Sequence, residues 1–180
     1  PKIFETLANN RDIILDMAFS NDNDPLHLKA FILLCNISPA LRKEFLTKDR
    51  LFIKIARIFS GKEVSELVIS RIASVLQSFI FVVPDLSQHA LGPLFSLISY
   101  IENQAVFDLL SSITSPSHQI HNFTDTLAKL KIDDLLIKEL NQNPSEIKKA
   151  HIFYIIRNCA KNPSFSELFN TQSIINVLSK

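Results

Sequence analysis

The chain has 180 residues, 47% of them hydrophobic and 21% charged, which is the composition of a folded domain rather than of a disordered segment. Its two glycines argue against β-sandwiches, barrels and glycine-rich nucleotide-binding loops, whose tight turns need residues with positive φ. The net charge of +1 hides a segregation, because residues 63–128 hold one basic residue, Arg71, against six acidic ones. This charge-poor middle has two explanations: packing between neighbouring helices, or a partner surface of low charge.

The first half of the chain reads as a series of helices divided by capping residues. Asp24-Pro25 and Ser38-Pro39 are typical helix starts, because the first side chain caps the helix and proline suits its first position. The helix after Pro25 is apolar nearly all round, as in the inner helix of a solenoid. The next helix is predicted to follow a cap at Asp49 and to end before a C′ glycine, Gly61. Its apolar face consists of Leu51, Phe52, Ile55, Ile58 and Phe59.

The second half continues the helical pattern. A long helix is expected from about residue 63 to 83, followed by PLFSLISYI and NQAVFDLLSSI. After a polar loop at Ser115-Pro116 come FTDTLAKL, IDDLLIKEL, SEIKKAHIFYIIRNCAK, SELF and SIINVLSK. The chain begins at Pro1 and closes in an apolar helical pattern, from which we expect a fragment of a longer protein.

The helical pattern repeats along the chain. Ala30 and Ala73 are 43 residues apart, and the same offset separates Leu51 from Leu94 and Leu94 from Ile137. This spacing is typical of HEAT and armadillo repeats. We therefore predict an all-α fold, a right-handed α-solenoid of about four such repeats that forms a single domain over residues 1–180.

Catalytic motifs are not evident in the sequence. It contains no P-loop, GxGxxG, GxSxG or HExxH pattern, so we expect a protein that is not an enzyme and uses no cofactor or metal. His118, His121 and Asp125 have a spacing that suits metal ligation, but a solvated loop is the simpler interpretation. Asp133-Asp134 is interpreted as a helix N-terminal pair favoured by the dipole.

Two cysteines, Cys35 and Cys159, lie in apolar helical patterns without CxxC spacing. They indicate buried, reduced thiols in a cytosolic or nuclear protein. The N-terminus lacks the apolar run of a signal peptide, and the longest charge-free runs are too short and too polar to span a membrane.

A basic run over residues 42–62 is a candidate partner-binding surface. It could meet an acidic peptide, a phosphorylated peptide or nucleic acid, with Arg50 and Arg57 as the leading candidates. The competing interpretation, which we favour, is a solvated outer helix face, since no aromatic residues interleave the charges as a base-stacking platform needs; no nucleic-acid partner is expected. The run comprises Arg42, Lys43, Lys48, Arg50, Lys54, Arg57 and Lys62.

Polar residues late in the long helices are further candidates. Asn36 and Asn158 occupy matching places, and Gln77 lies near the equivalent place between them. In armadillo repeats an inner-helix asparagine hydrogen-bonds the backbone of an extended peptide. The alternative, which we rate higher, is a helix-terminal asparagine that serves its own backbone.

The middle of the chain resembles a known family. LFSLISYIENQAVFDLLSSITS, at residues 94–115, is similar to the most typical stretch of the SAPS-domain family. IASVLQSFI precedes it, EFLTKDRLFIKIARIFSG looks like the family's opening segment, and LAKLKIDDLLIKELN and KKAHIFYIIRNCAKNP resemble the segments that follow. The order agrees over about residues 44–162, although the tryptophan of the family is absent.

SAPS proteins are non-catalytic regulatory subunits of the type-2A-like serine/threonine phosphatase known as phosphatase six. The resemblance therefore implies a fragment that binds a phosphatase catalytic subunit and helps to choose its substrates. Residues 105–110 are the matched positions, and packing is their expected role, except that Asp108 is the candidate for a specific hydrogen bond to the partner. The alternatives are a generic armadillo or HEAT adaptor for peptides or proteins, and an enzyme or nucleic-acid binder built on helical repeats.

Overall fold

The computed structural model describes residues 2–46, 50–61, 63–81, 90–117, 127 and 131–165. These residues form ten α-helices, and none of them lies in a β-strand. The predicted all-α class is thereby confirmed. The arrangement of about four repeats in a right-handed solenoid stays a prediction.

The chain divides into two compact units, Pro1–Ser96 and Leu97–Lys180. The prediction of one domain over the whole chain stays a prediction. The first unit holds α1 (Lys2–Asn9), α2 (Arg11–Ala18), α3 (Pro25–Asn36), α4 (Pro39–Leu46), α5 (Arg50–Phe59), α6 (Glu66–Ile80) and most of α7 (Leu91–Ile98). The second holds the end of α7, then α8 (Gln104–Thr114), α9 (Ile132–Leu140), α10 (Glu146–Lys161) and a 3₁₀ turn (Pro163–Phe165).

Side-chain caps start the four long helices α3, α6, α8 and α10. The cap oxygen accepts a hydrogen bond from a backbone N–H of the first turn in each case, an interaction that contributes about 1 kcal/mol per helix. The caps are roughly 40 residues apart, the length typical of HEAT and armadillo repeats. They are Asp24, Ser65, Asn103 and Ser145.

The predicted boundaries agree with the structure at most helices. IDDLLIKEL forms α9, and SEIKKAHIFYIIRNCAK forms α10 after its first residue, the cap. The helix expected from residue 63 begins instead at Glu66, because Ser65 caps it. Gly61 follows the end of α5 at the C′ position, as predicted, and its N–H bonds the Ile58 carbonyl without positive φ.

Several predicted features lie outside the described residues. They are the Asp49 cap, the end of the long helix beyond residue 81, FTDTLAKL apart from Leu127, and the segments SELF and SIINVLSK.

In the first unit, α3 packs between α2 and α6. The start of α6 is tied to the loop before α3, where Ser65 Oγ donates to Asn21 Oδ1 at 2.5 Å. At the other end, the buried guanidinium of Arg42 donates to the carbonyls of Cys35 and Ser78, which lie near the ends of α3 and α6. Because both starts are joined and both ends are joined, α3 and α6 run side by side in the same direction.

Arg71 of α6 secures the loop that leads into α3. Its side chain is buried and donates to the carbonyls of Ser20 at 2.7 Å and Asp22 at 3.0 Å, while its Cζ lies 5.8 Å from the ring centroid of Phe31. A buried guanidinium must have its donors satisfied, and loop carbonyls without strand or helix partners are suitable acceptors. Arg71, the lone cation of the acidic middle, is therefore part of the core.

Asp22 organises the same loop from its exposed side. It accepts hydrogen bonds from Ser20 Oγ at 2.6 Å, from His27 Nδ1 at 2.6 Å and from the backbone N–H of Asp24 at 3.0 Å. These bonds, Ser20's first and then His27's, favour the ionised carboxylate and lower the pKa of Asp22 to about 2.

The second unit repeats this arrangement with α8 and α10. Ser145 Oγ, the cap of α10, donates to Glu102 beside the start of α8. At the other end, Asn162 Nδ2 reaches the Thr114 carbonyl at 3.4 Å. These contacts make α8 and α10 side-by-side helices of the same direction, like α3 and α6.

A partly buried ion pair joins α9 and α10. Lys148 Nζ lies 2.5 Å from Glu139 Oε2 and also donates to the Ser99 carbonyl at 3.0 Å. Ser99 Oγ donates to Glu139 Oε1 at 2.9 Å, so both carboxylate oxygens have partners. Such a satisfied network fixes the register between two helices more than it adds net stability.

Candidate functional site

An open groove of about 470 Å³ lies between α2 and α5 of the first unit. Its volume is in the range of about 300–1,000 Å³ typical of ligand pockets. Helix α5 buries Leu51, Phe52 and Ile55, as predicted, which turns its other side toward the groove. The lining residues follow helical spacing on both helices and are Asp12, Leu15, Asp16, Arg50, Ile53, Lys54 and Arg57.

Two ion pairs cross from α5 to α2 along this groove. Arg50 pairs with Asp12, and one turn further on Lys54 pairs with Asp16. Both aspartate side chains are 61% exposed, so each pair contributes about 0–1 kcal/mol and can be exchanged for an external partner at little cost.

Arg57 lies one turn beyond Lys54 and is the exception among the three basic residues of the groove. It is exposed and forms no ion pair with any residue that the structure describes. The apolar part of the lining comes from Ile53, which is 45% exposed, and from Leu15, which is buried. The structure thus brings two predicted candidates, Arg50 and Arg57, into one groove, with the first already paired and the second available.

Arg42, the first residue of the basic run, lies apart from this groove. It was expected on a solvated helix face, but it is only 7% exposed. Its guanidinium donates to the Ile37 carbonyl at 3.0 Å and to the carbonyls of Cys35 and Ser78. The same group lies over the ring of Phe79. Lys48 and Lys62 fall outside the described residues.

Asn36 and Gln77 occupy equivalent places on α3 and α6, eleven residues after Pro25 and Glu66 respectively. Asn36 is exposed, but its Nδ2 donates to the Ile32 carbonyl of its own helix at 2.8 Å. This is the contact expected of a helix-terminal asparagine that serves its own backbone. Gln77 is half-buried.

Asn158 is partly buried in the second unit. Its Nδ2 lies 3.5 Å from the Ser111 carbonyl, which places it on the contact between α8 and α10. A peptide-binding role for the three polar side chains stays a prediction.

The matched segment forms α8, and Phe107 lies at its contact with α10. Phe107 is half-buried rather than part of the closed core; its ring stacks on His151 with centroids 4.1 Å apart and an interplanar angle of 19°. Tyr154 meets the same ring edge-on at 5.3 Å. The packing role expected for this residue is therefore carried by aromatic contacts at the rim of the second unit.

Asp108, the next residue, is exposed on α8. Its Oδ1 accepts a hydrogen bond from Gln104 Nε2 at 2.8 Å, and it forms no ion pair within the described part of the chain. The carboxylate is therefore accessible to a partner, as its predicted role requires.

Asp133 and Asp134 lie in the first turn of α9, which confirms the predicted helix N-terminal pair, but Asp133 is buried there. It is 7% exposed, and its Oδ1 has no hydrogen-bond partner among the described residues. Burial, reinforced by the charge of Asp134, raises the pKa of this carboxyl.

Burial, followed by the nearby Asp133 charge, likewise raises the pKa of the Cys159 thiol. Cys159 is fully buried as predicted.

Cys35 is only half-buried, in contrast to the prediction, although burial still raises its pKa. The described residues contain no group of three or more His, Cys, Asp or Glu side chains that could hold a metal ion. His118, His121 and Asp125 lie outside them. No described helix is both long enough and apolar enough to cross a membrane.

Comparison with known proteins identifies no relatives: no family model, curated protein or solved structure matches this chain. The class that the structure itself defines is an all-α protein of capped long helices in side-by-side pairs. The sequence named Arg50, Arg57 and Asp108 as candidates, and their binding roles stay predictions, whereas Asp12 and Asp16 opposite the basic residues were missed. The signal was present, because Asp12 to Arg50 and Asp16 to Lys54 are the same 38 residues apart.

Proposed function

We propose that this chain is a non-catalytic, protein-binding α-solenoid of about four armadillo/HEAT-like repeats. The observation that carries the proposal is the repeated pairing of long helices, α3 with α6 and α8 with α10, each joined at both ends. Repeats stacked in this manner present extended faces, and their typical use is recognition of other proteins.

The partner we propose is the catalytic subunit of a type-2A-like serine/threonine phosphatase, for which the chain acts as a regulatory subunit. Support comes from the resemblance over residues 44–162 and from the exposed carboxylate of Asp108 in the matched segment, which forms no ion pair with another described residue. Residues 63–128 hold a single basic residue, Arg71, and this scarcity of positive charge favours a contact based on apolar burial.

Binding of the purified chain to a phosphatase catalytic subunit, measured by biolayer interferometry, tests this function. We expect binding that changes little between low and high salt, because apolar burial is screened less than charge steering. Asp108→Ala should weaken it about fivefold or more, the effect of losing one charge-assisted hydrogen bond. Asp134→Ala, an exposed aspartate on α9, is the matched control and should bind like the wild type.

Absence of binding at any salt concentration would contradict the phosphatase assignment. The proposal that then remains is the generic adaptor, and the observation that favours it is the α2–α5 groove, which has the volume of a ligand pocket.

A further inference from the structure

We propose that the groove between α2 and α5 binds an acidic, partly apolar peptide segment of a protein partner, with Arg57 as its anchor. The inference rests on the proposed protein-binding function and adds a second site to it, within the first unit. The anchor is assigned because Arg57 alone among the basic residues of this groove is exposed without an ion pair in the described part of the chain.

The charge of the groove matches a carboxylate ligand. Three basic residues and two aspartates line it, so one positive charge is unbalanced and it belongs to Arg57. A guanidinium binds a carboxylate through two parallel N–H donors, which gives one acidic side chain a defined orientation.

The apolar surface beside Arg57 favours a peptide in which an apolar residue stands next to the acidic one. Ile53 lies one turn before Arg57 and is 45% exposed, so it supplies the apolar surface of the groove, whereas Leu15 of α2 is buried beneath it. An apolar side chain next to the acidic residue of the ligand would cover Ile53 and remove it from water.

The aspartates of the groove argue against a nucleic acid. Nucleic acids carry a phosphate at every nucleotide and need several unpaired cations in a row. Here Asp12 and Asp16 neutralise Arg50 and Lys54 and would themselves repel phosphates. A peptide with spaced carboxylates avoids this repulsion.

The same aspartates act as internal competitors of the ligand. Asp16 holds Lys54 one turn from the anchor, at a distance along the helix that a neighbouring acidic side chain of the ligand can reach. Removing the Asp16 charge should therefore free a second cation and strengthen binding, an effect opposite to that of removing Arg57.

The experiment titrates the full chain against a fluorescein-labelled peptide of alternating glutamate and leucine, followed by fluorescence anisotropy. We expect Arg57→Gln to weaken binding about three- to tenfold and Asp16→Asn to strengthen it about two- to fivefold, with Lys54→Gln cancelling the gain in the Asp16→Asn background. Arg157→Gln removes an exposed arginine of α10 and serves as the matched control, with no change expected. The same peptide with glutamine in place of glutamate should not bind.

An unchanged affinity in Arg57→Gln, or weaker binding in Asp16→Asn, would overturn the inference. Equal binding of a single-stranded DNA 20-mer with the same dependence on Arg57 would also overturn it in favour of general polyanion binding. Phosphatase binding is measured separately on the same variants. If the chain binds the phosphatase subunit but not the peptide, the groove is not a peptide site and the phosphatase assignment stands. If it binds the peptide but not the phosphatase subunit, only the phosphatase assignment is refuted.

Discussion

Arg71 and His151 occupy the same position in two different helices and make the same kind of contact. Each comes five residues after the first residue of its helix, Glu66 in α6 and Glu146 in α10. Arg71 donates to the carbonyls of Ser20 and Asp22, and His151 Nδ1 lies 2.7 Å from the Ile101 carbonyl, in each case in the segment just before the preceding long helix. A shared position with a shared contact is what a structural repeat predicts.

Replacing Arg71 by methionine should destabilise the protein by about 2–4 kcal/mol. The methionine fills similar space but leaves the carbonyls of Ser20 and Asp22 without their donors inside the protein. Urea unfolding followed by circular dichroism measures the change. Arg57→Met, at an exposed arginine, should stay within about 0.5 kcal/mol of the wild type. Equal stability of both variants would show that Arg71 does not secure the loop.

The contribution of the Asp22 carboxylate to the stability of the protein should depend on pH. Its pKa is lowered to about 2 from the ordinary value of 3.8, so the folded state binds the proton more weakly than the unfolded state. The contribution is therefore complete above the ordinary value and is lost as the pH falls through about 2.

Asp22→Asn should destabilise the protein at pH 6, and the difference from the wild type should shrink steadily below pH 4. Thermal unfolding at a series of pH values measures this. A difference that is the same at pH 6 and pH 2.5 would contradict the assigned role of the carboxylate.

The effect of Asp133 on stability should change with pH in the direction opposite to that of Asp22. Burial raises its pKa, so the ionised form destabilises the folded state above the unfolded pKa, and stability increases as the pH falls through the raised folded pKa. Asp133→Asn should therefore stabilise the protein at neutral pH by about 1–2 kcal/mol, because an unsatisfied charged oxygen is replaced by a neutral amide.

Asp134→Asn is the control for this change, since that side chain is 66% exposed on the same helix turn. It should alter the stability by no more than about 0.5 kcal/mol. Destabilisation by Asp133→Asn would show instead that the carboxylate is a cap for α9.

Substitutions at Phe107 and Asp108 should distinguish a residue that stabilises the fold from one that contacts the partner. Phe107→Ala removes the stacking on His151 and the edge contact with Tyr154, and since the ring is half-buried we expect a loss of about 2 kcal/mol rather than that of a full core phenylalanine. Asp108→Ala should stay within about 0.5 kcal/mol. Urea unfolding of both variants checks this, and an unfolded Asp108→Ala variant would identify its carboxylate as structural.

The sequence was sufficient for those features that depend on neighbours along the chain. The cap at Asp24 and the bounds of α9 follow from local capping and helical periodicity. The 43-residue offset likewise matched Ala30 with Ala73, and the structure packs their helices α3 and α6 together.

Features that depend on contacts between distant segments could not be read in the same way. Arg42 looks like one member of a basic run, and only the carbonyls at the ends of α3 and α6 explain why it is buried. Asp133 looks like an ordinary helix-terminal acid, whereas the chain around it leaves one oxygen without a described partner. Burial is decided by tertiary packing, for which local composition is a weak guide.

Hydrogen–deuterium exchange of the full chain, with and without a phosphatase catalytic subunit, tests the central claim most directly. We expect slower exchange in Gln104–Thr114, the helix that carries Asp108, when the subunit is present. Asp108→Ala should reduce this protection, while Asp134→Ala should leave it as it is. The same exchange rates in every peptide with and without the subunit would contradict the claim that this chain is a phosphatase-binding scaffold.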